Sequence, residues 1–198
     1  HLAPRVAAIV LAAGQSRRMG AQNKLLADID GKPMVARTLD AVMQSAVASV
    51  TVVLGHEGEQ VRAVLADRRV TFTDNPDFEA GLSTSLKRGL AAIPDDSDAV
   101  LICLGDMPRI SADEINLLID AFAPNAGHAI CVPTYQGKRG NPVLLGRRFF
   151  AEIQDVSGDA GARYLIGAYP DLVYEVAMEG DAVLLDIDTP EALARIAD

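Results

Sequence analysis

The chain has 198 residues, 49% hydrophobic and 23% charged, which suits one α/β domain spanning 1–198 and leaves little room for a second. Eighteen Lys and Arg against twenty-seven Asp and Glu give a formal net charge of −9, which argues against long nucleic acid or anionic membrane as a partner held by bulk attraction. No apolar run approaches the roughly 18–20 residues of a membrane span, and no basic, apolar leader pattern is visible, so the expected location is the cytoplasm.

Short apolar runs alternate with helical periodicity along the chain. Residues 6–12 predict a buried strand, 34–44 a helix behind Pro33, 50–54 a strand and 58–66 a helix. A strand over 70–73, a helix over 84–92 and a strand over 99–104 follow. Ser111, with Glu114 three residues on, opens a helix over 112–122, and 129–132 is the next strand. After Pro142 the rhythm loosens: strands at 143–145, 172–177 and 183–185, and helices at 147–154, 160–167 and 190–196. This β-α-β-α order predicts a mainly parallel sheet with helices on both faces and leaves the strand order open. Cys103 and Cys131 lie in strand-like runs without CxxC spacing, as buried thiols do.

The charge is unevenly placed. Residues 151–198 hold eleven acids and two bases and so account for the whole −9, whereas 1–27 hold Arg5, Arg17, Arg18 and Lys24 and no acid. These bases surround the loop that leaves the first strand: Leu11-Ala12-Ala13-Gly14-Gln15-Ser16-Arg17-Arg18-Met19-Gly20, followed by Lys24. In a doubly wound sheet, ligands bind beyond the carboxyl ends of the strands. Gly14 and Gly20 permit close backbone approach to phosphate oxygens, and Arg18 and Lys24 supply mobile positive charge. Neither GxxxxGK[ST] nor GxGxxG is present, so the P-loop and dinucleotide-binding readings lose their main support.

The run LAAGxSRRMGxxNKLL resembles the signature loop of the molybdenum cofactor nucleotidyltransferases, within the nucleoside-triphosphate transferase superfamily. Further matches follow in order: GLSTSL (81–86), GDMP (105–108), GNPV (140–143), GDAGAR (158–163) and DIDTPE (186–191). The resemblance covers nearly the whole chain, and its later motifs point to the CTP:molybdopterin cytidylyltransferase branch. It implies a Rossmann-like three-layer α/β/α sandwich of the nucleotide-diphospho-sugar transferase type. The implied reaction transfers CMP from CTP to the terminal phosphate of a molybdopterin acceptor, with release of pyrophosphate. A molybdoenzyme or a delivery chaperone is the implied recipient of the product. A relative using GTP, ATP or a sugar phosphate, and a non-catalytic nucleotide carrier, are the alternatives.

Asp106 follows a buried strand, where a carboxylate can hold Mg²⁺ against nucleotide phosphates, and the resemblance to the family's metal-binding GDxP strengthens that reading. The family's C-terminal motif implies a second metal ligand. Asp186 matches it first and Asp188 is its rival, although Asp188-Thr189-Pro190 also reads as an ordinary helix start. Arg18, Lys24 and Asp106 are the expected catalytic residues. Nucleotide contacts are expected from Leu11, Ala12, Ala13, Gly14, Ser16, Arg18 and Lys24, then from Asp74, Gly81, Ser83, Thr84 and Ser85 at the start of the 84–92 helix. A methyl at Ala13, where guanylyl-transferring relatives carry LAGG, is expected to narrow the base site in favour of a pyrimidine. Asn141 and Arg163 are expected at the acceptor, with Asp159 capping the 160–167 helix. His56 and His128 have no evident partner in the sequence.

Overall fold

Val6–Ala12 (β1) is buried along its whole length, and the alternation of its side chains sets the layering. Val6, Ala8, Val10 and Ala12 belong to one apolar cluster, while Ile9 and Leu11 belong with Ala13 to the other. A strand covered on both faces requires this period of two. The computed structural model describes residues 3–14, 23–186 and 190–197.

After β1 come the short strands Asp28–Ile29 (β2) and Lys32–Pro33 (β3), then Met34–Gln44 (α1), Ser49–Leu54 (β4), Gly58–Val64 (α2) and Thr71–Asp74 (β5). Leu82–Ala92 (α3), Ala99–Leu104 (β6), Ala112–Ala121 (α4), Ile130–Tyr135 (β7), Lys138–Arg139 (β8) and Val143–Gly146 (β9) follow. Phe150–Ile153 (α5), Arg163–Ala168 (α6), Val173–Ala177 (β10) and Pro190–Ala197 (α7) complete the order. The main sheet runs β10-β7-β9-β6-β1-β4-β5, with β8 paired to β7. Strands β6, β1, β4 and β5 are mutually parallel, as are β7 and β10, and β9 runs antiparallel between β6 and β7. Side chains of α1, α2 and α4 fill one face, and those of α3, α5 and α6 the other. This is the three-layer sandwich with a mostly parallel sheet that the motif order implied.

The capping box at Ser111 and Glu114 forms as expected. Two other readings differ, and one hairpin was not foreseen. The 183–185 run is a 3-10 turn, Ala182–Leu184, whose Val183 carbonyl accepts the Asn141 N–H at 2.9 Å, so a short apolar run serves as a packed turn and not as a strand. The 147–154 segment is divided between a 3-10 turn and α5. The β2–β3 hairpin, turning on Asp30 and Gly31 at positive φ, has strands too short to show periodicity. Cys103 and Cys131 are buried thiols, and burial pushes both up, Cys131 to about 12, so they pack as small apolar groups. Among the described residues no helix is long and apolar enough to cross a membrane.

The topology gathers the motifs on one edge. Strands β1, β4, β5 and β6 all end there, at Ala12, Leu54, Asp74 and Leu104. Val143 pairs with Ile102, so the chain enters β9 from the side where β6 ends and brings Asn141 to the same edge.

Candidate active site

At the end of β6, Asp106 is only 8% exposed and accepts a hydrogen bond from Lys24 Nζ at 2.7 Å on its Oδ2. Lys24 opens a 3-10 turn, Lys24–Leu26, which Asn23 caps by accepting the Leu25 N–H at 3.0 Å. Leu25 is buried in the cluster beneath α1, so its packing aims the preceding lysine at the strand end. A side chain at Gly105 would place Cβ 3.0 Å from the Leu11 carbonyl, whose oxygen already accepts the Gly105 N–H. Glycine here lets β6 and β1 stay close as the chain turns toward Asp106.

Leu11, Ala12 and Ala13 are buried, and Gly14 is exposed where β1 gives way to the loop. Ser16 and Arg18 lie outside the described residues, as does Asp188. Ala13 is 0% exposed: a Cβ on Gly55 would lie 2.7 Å from the Ala13 methyl, and the Ala13 carbonyl accepts the His56 N–H at 3.0 Å. The methyl expected to border a base is inside the protein, so any effect on base size passes through the backbone around Gly14 and His56. His56 has partners that the sequence did not reveal: Glu57 Oε1 at 3.2 Å and the Phe78 ring at 5.9 Å. His128 stacks on Tyr174 at the far end of the sheet.

Asp74, the exposed last residue of β5, leads into Asn75, which is 1% exposed. Asn75 Nδ2 donates to Thr84 Oγ1 at 2.9 Å and Ser85 Oγ at 2.8 Å, and its Oδ1 accepts the Asp77 N–H at 3.0 Å. Ser83 and Ser85 are buried and Thr84 is half-buried, and the Thr84 and Ser85 hydroxyls tie Asn75 to the start of α3 from within. Sequence reasoning passed over Asn75; the Asp-Asn-Pro spacing just after a strand was the signal available for it.

Gly81, at φ 118°, lies so close to the 158–161 turn that a Cβ would sit 2.6 Å from the Gly158 carbonyl. That carbonyl accepts the Ser83 N–H at 3.0 Å, and Asp159 Oδ1 accepts the Leu82 N–H at 3.1 Å. Asp159 therefore caps α3, not the 160–167 segment: a carboxylate satisfies the otherwise open N–H groups at the N-terminus of a longer helix. The GLSTSL and GDAGAR motifs thus form one unit, and Arg163 is exposed at the start of α6 beside it.

Asn141 donates its N–H to Val183, and a Cβ on Gly140 would lie 2.1 Å from the same carbonyl, so the GNPV segment and the approach to Asp186 are in contact. Asp186 is exposed. Among the described residues no group of three or more His, Cys, Asp or Glu converges. Asp106 nevertheless suits a hard divalent cation. It is a largely buried oxygen donor whose carboxylate is already held against an ammonium.

Residues 8–173 match the family profile of the MobA-like NTP transferase domain. The chain belongs to that family. Purine catabolism protein PucB of Bacillus subtilis is 31% identical over 95% of this chain and 94% of its own, and nicotine blue oxidoreductase of Paenarthrobacter nicotinovorans is 27% identical over 98% and 97%. The crystal structure of Rv0371c from Mycobacterium tuberculosis H37Rv superposes with a TM-score of 0.85 at 28% identity, covering 99% of both chains, and the same protein is known in complex with manganese. The MobA-like chain is a nucleotidyltransferase by family, on the nucleotide-diphospho-sugar transferase fold. Lys24 and Asp106 come together in it, Leu11–Gly14 and the α3 start lie on the same edge, and Asn141 and Asp186 approach from the β9 side.

Proposed function

We propose that this MobA-like transferase moves CMP from CTP to the terminal phosphate of a molybdopterin-type acceptor, with Mg²⁺ as its cation. The observation that carries the reading is the Lys24–Asp106 pair at the end of β6. An acceptor phosphate oxygen forms the new bond to the α-phosphorus as the bond between that phosphorus and the bridging oxygen to the β-phosphate breaks, and the electron pair leaves with pyrophosphate. The acceptor phosphate is already ionised near neutrality, so the protein supplies position and charge neutralisation, not a strong base.

Lys24, with Arg18 in the loop, offers positive charge to the triphosphate. Asp106, joined by Asp186 or Asp188, would hold the cation, which when bound supplies Lewis-acid stabilisation of the phosphoryl oxygens. Asn141 can both donate to and accept from the acceptor, and Arg163 adds a guanidinium suited to a phosphate. The choice of CTP rests on the LAAG sequence and its resemblance to the cytidylyl branch; Ala13 would act on it through the backbone it packs.

Pyrophosphate release measured with CTP, GTP and ATP, each against Mo-molybdopterin and a panel of phosphorylated sugars and alcohols, tests the reading. Release with CTP and molybdopterin is expected. Release only with a sugar phosphate overturns the acceptor, release only with GTP or ATP overturns the nucleotide, and tight nucleotide binding without release favours a carrier.

A further inference from the structure

The buried stripe of α1 consists of Met34, Val35, Ala36, Leu39 and Val42, and Thr38 lies among them with 0% exposure. A hydroxyl in that setting gains nothing over a valine methyl by packing and must find a partner. Thr38 Oγ1 lies 3.4 Å from the Met34 carbonyl, the ordinary bond back along a helix, and 3.0 Å from the carbonyl of Gly105, the residue that follows β6. A hydroxyl has one hydrogen, and the shorter contact is the better bond.

The Gly105 carbonyl belongs to the peptide unit that joins Gly105 to Asp106. On the other side of Gly105, its N–H is held by the Leu11 carbonyl at 3.0 Å. Leu25 and Val35 lie close by, since a Cβ there would be 3.5 Å from Leu25 Cδ2 and 3.6 Å from Val35 Cγ2. Strand β1 therefore fixes Gly105 from one side and Thr38 from the other. A peptide unit is planar, so holding its carbonyl fixes the orientation in which the next residue departs. Here the next residue is Asp106. Leu25 beside Gly105 also follows Lys24, so this one junction locates both ends of the Lys24–Asp106 pair.

We propose that the Thr38 hydroxyl is a positioning residue for the Asp106 carboxylate, holding the Gly105–Asp106 peptide so that the carboxylate faces Lys24 and an incoming hard divalent cation. The inference rests on the proposed function and deepens it, because outer partners of a metal-binding carboxylate govern how well it binds.

Thr38→Val removes the hydroxyl at nearly constant shape, and Thr38→Ser retains it. Manganese binding to the whole protein, followed by electron paramagnetic resonance of the free ion, is expected to weaken about tenfold in Thr38→Val, and kcat to fall about 10- to 100-fold. The nucleotide KM is expected to change by less than about twofold, and Thr38→Ser to restore both manganese binding and kcat. A lower melting temperature in Thr38→Val with manganese affinity and kcat intact would overturn the proposal, as would absence of manganese binding by the wild type. If valine is not tolerated, Thr38→Ser against Thr38→Ala, which differ by the hydroxyl alone, makes the same comparison. Manganese binding is read without turnover, so failure of every nucleotide and acceptor to give pyrophosphate would count against the proposed function and leave the Thr38 result standing.

Discussion

Lys24 Nζ and Asp106 Oδ2 meet at 2.7 Å, with the two side chains 14% and 11% exposed. The pair joins the turn after the basic loop to the end of the central strand β6, and an ammonium against a carboxylate in partial shelter is held more firmly than a surface ion pair. It also gives Asp106 a resident cation, so a divalent ion and Lys24 draw on the same carboxylate. A triphosphate offers Lys24 a second destination.

Two substitutions separate these roles. Lys24→Met is expected to lower kcat/KM for the nucleotide about 100-fold or more, and to tighten manganese binding to the nucleotide-free protein because the competing ammonium is gone. Asp106→Asn is expected to abolish divalent-cation-dependent turnover. Steady-state kinetics and manganese titration check both, and a Lys24→Met protein that binds manganese more weakly than wild type would show that the lysine helps the ion and does not compete with it.

The parts of this site carried by local pattern were legible in the sequence. β1 and β6 are unbroken apolar runs, and the Gly-rich loop and Asp106 follow them directly, so strand ends and motifs coincide. What escaped depends on contacts between distant segments. Asp159 caps α3 from 77 residues away, and no local signal favours α3 over the nearer helix. The Ala13 methyl looks like a pocket wall in the LAAG run, but Gly55 is small enough to let it turn inward. Thr38 sits in an apolar stripe where its purpose shows only once Gly105 is placed against it.

Asn75→Ala should be costly. It leaves the Thr84 and Ser85 hydroxyls without their buried donor and frees the Asp77 N–H. A loss of about 2 kcal/mol is expected, which for a chain of this length lowers the melting temperature by about 4–8 °C. Differential scanning calorimetry measures it, and a change under about 1 °C would mean that water replaces the amide without cost.

Asp159→Ala should weaken α3 and not α6. Loss of an N-cap carboxylate costs about 0.5–2 kcal/mol, and the effect is confined to the first turn of the helix it caps. Amide hydrogen exchange resolved by residue is expected to speed up at Leu82 and Ser83, with the amides of α6 little changed. Faster exchange in α6 alone would return Asp159 to the nearer helix.

Gly81→Ala should damage the same junction by another route. The backbone there has φ 118°, which an L side chain rarely adopts, and the added Cβ would meet the Gly158 carbonyl at 2.6 Å. The cost is expected to exceed about 1 kcal/mol, with weaker nucleotide binding because α3 and the 158–161 turn must separate. Combining it with Asp159→Ala is informative: the two share one contact, so their destabilisations should sum to more than the double variant loses. Strict additivity in urea unfolding would show that the glycine and the carboxylate act independently.

The pH dependence of stability should reflect Asp40 on α1. Its Oδ1 accepts Arg68 Nε at 3.0 Å, and its Oδ2 accepts Arg68 Nη2 at 3.2 Å and Lys32 Nζ at 2.7 Å. Burial by itself would raise this carboxyl, but the hydrogen bonds from Arg68 and then Lys32, with their charges, outweigh it and hold Asp40 below its ordinary 3.8. A carboxyl that gives up its proton more readily in the folded chain than in the unfolded one stabilises the fold above its unfolded-state value. That stabilisation is lost as pH falls through the lower folded value. Asp40→Asn should therefore be less stable than wild type at pH 7, with the gap unchanged down to about pH 4 and closing below it. Urea unfolding at pH 7, 5, 4 and 3 follows the gap. A difference that stays constant to pH 3 would mean that the amide fails through altered hydrogen-bond geometry, and that the charge on Asp40 contributes little to joining α1 with Lys32 of β3 and Arg68 beyond α2.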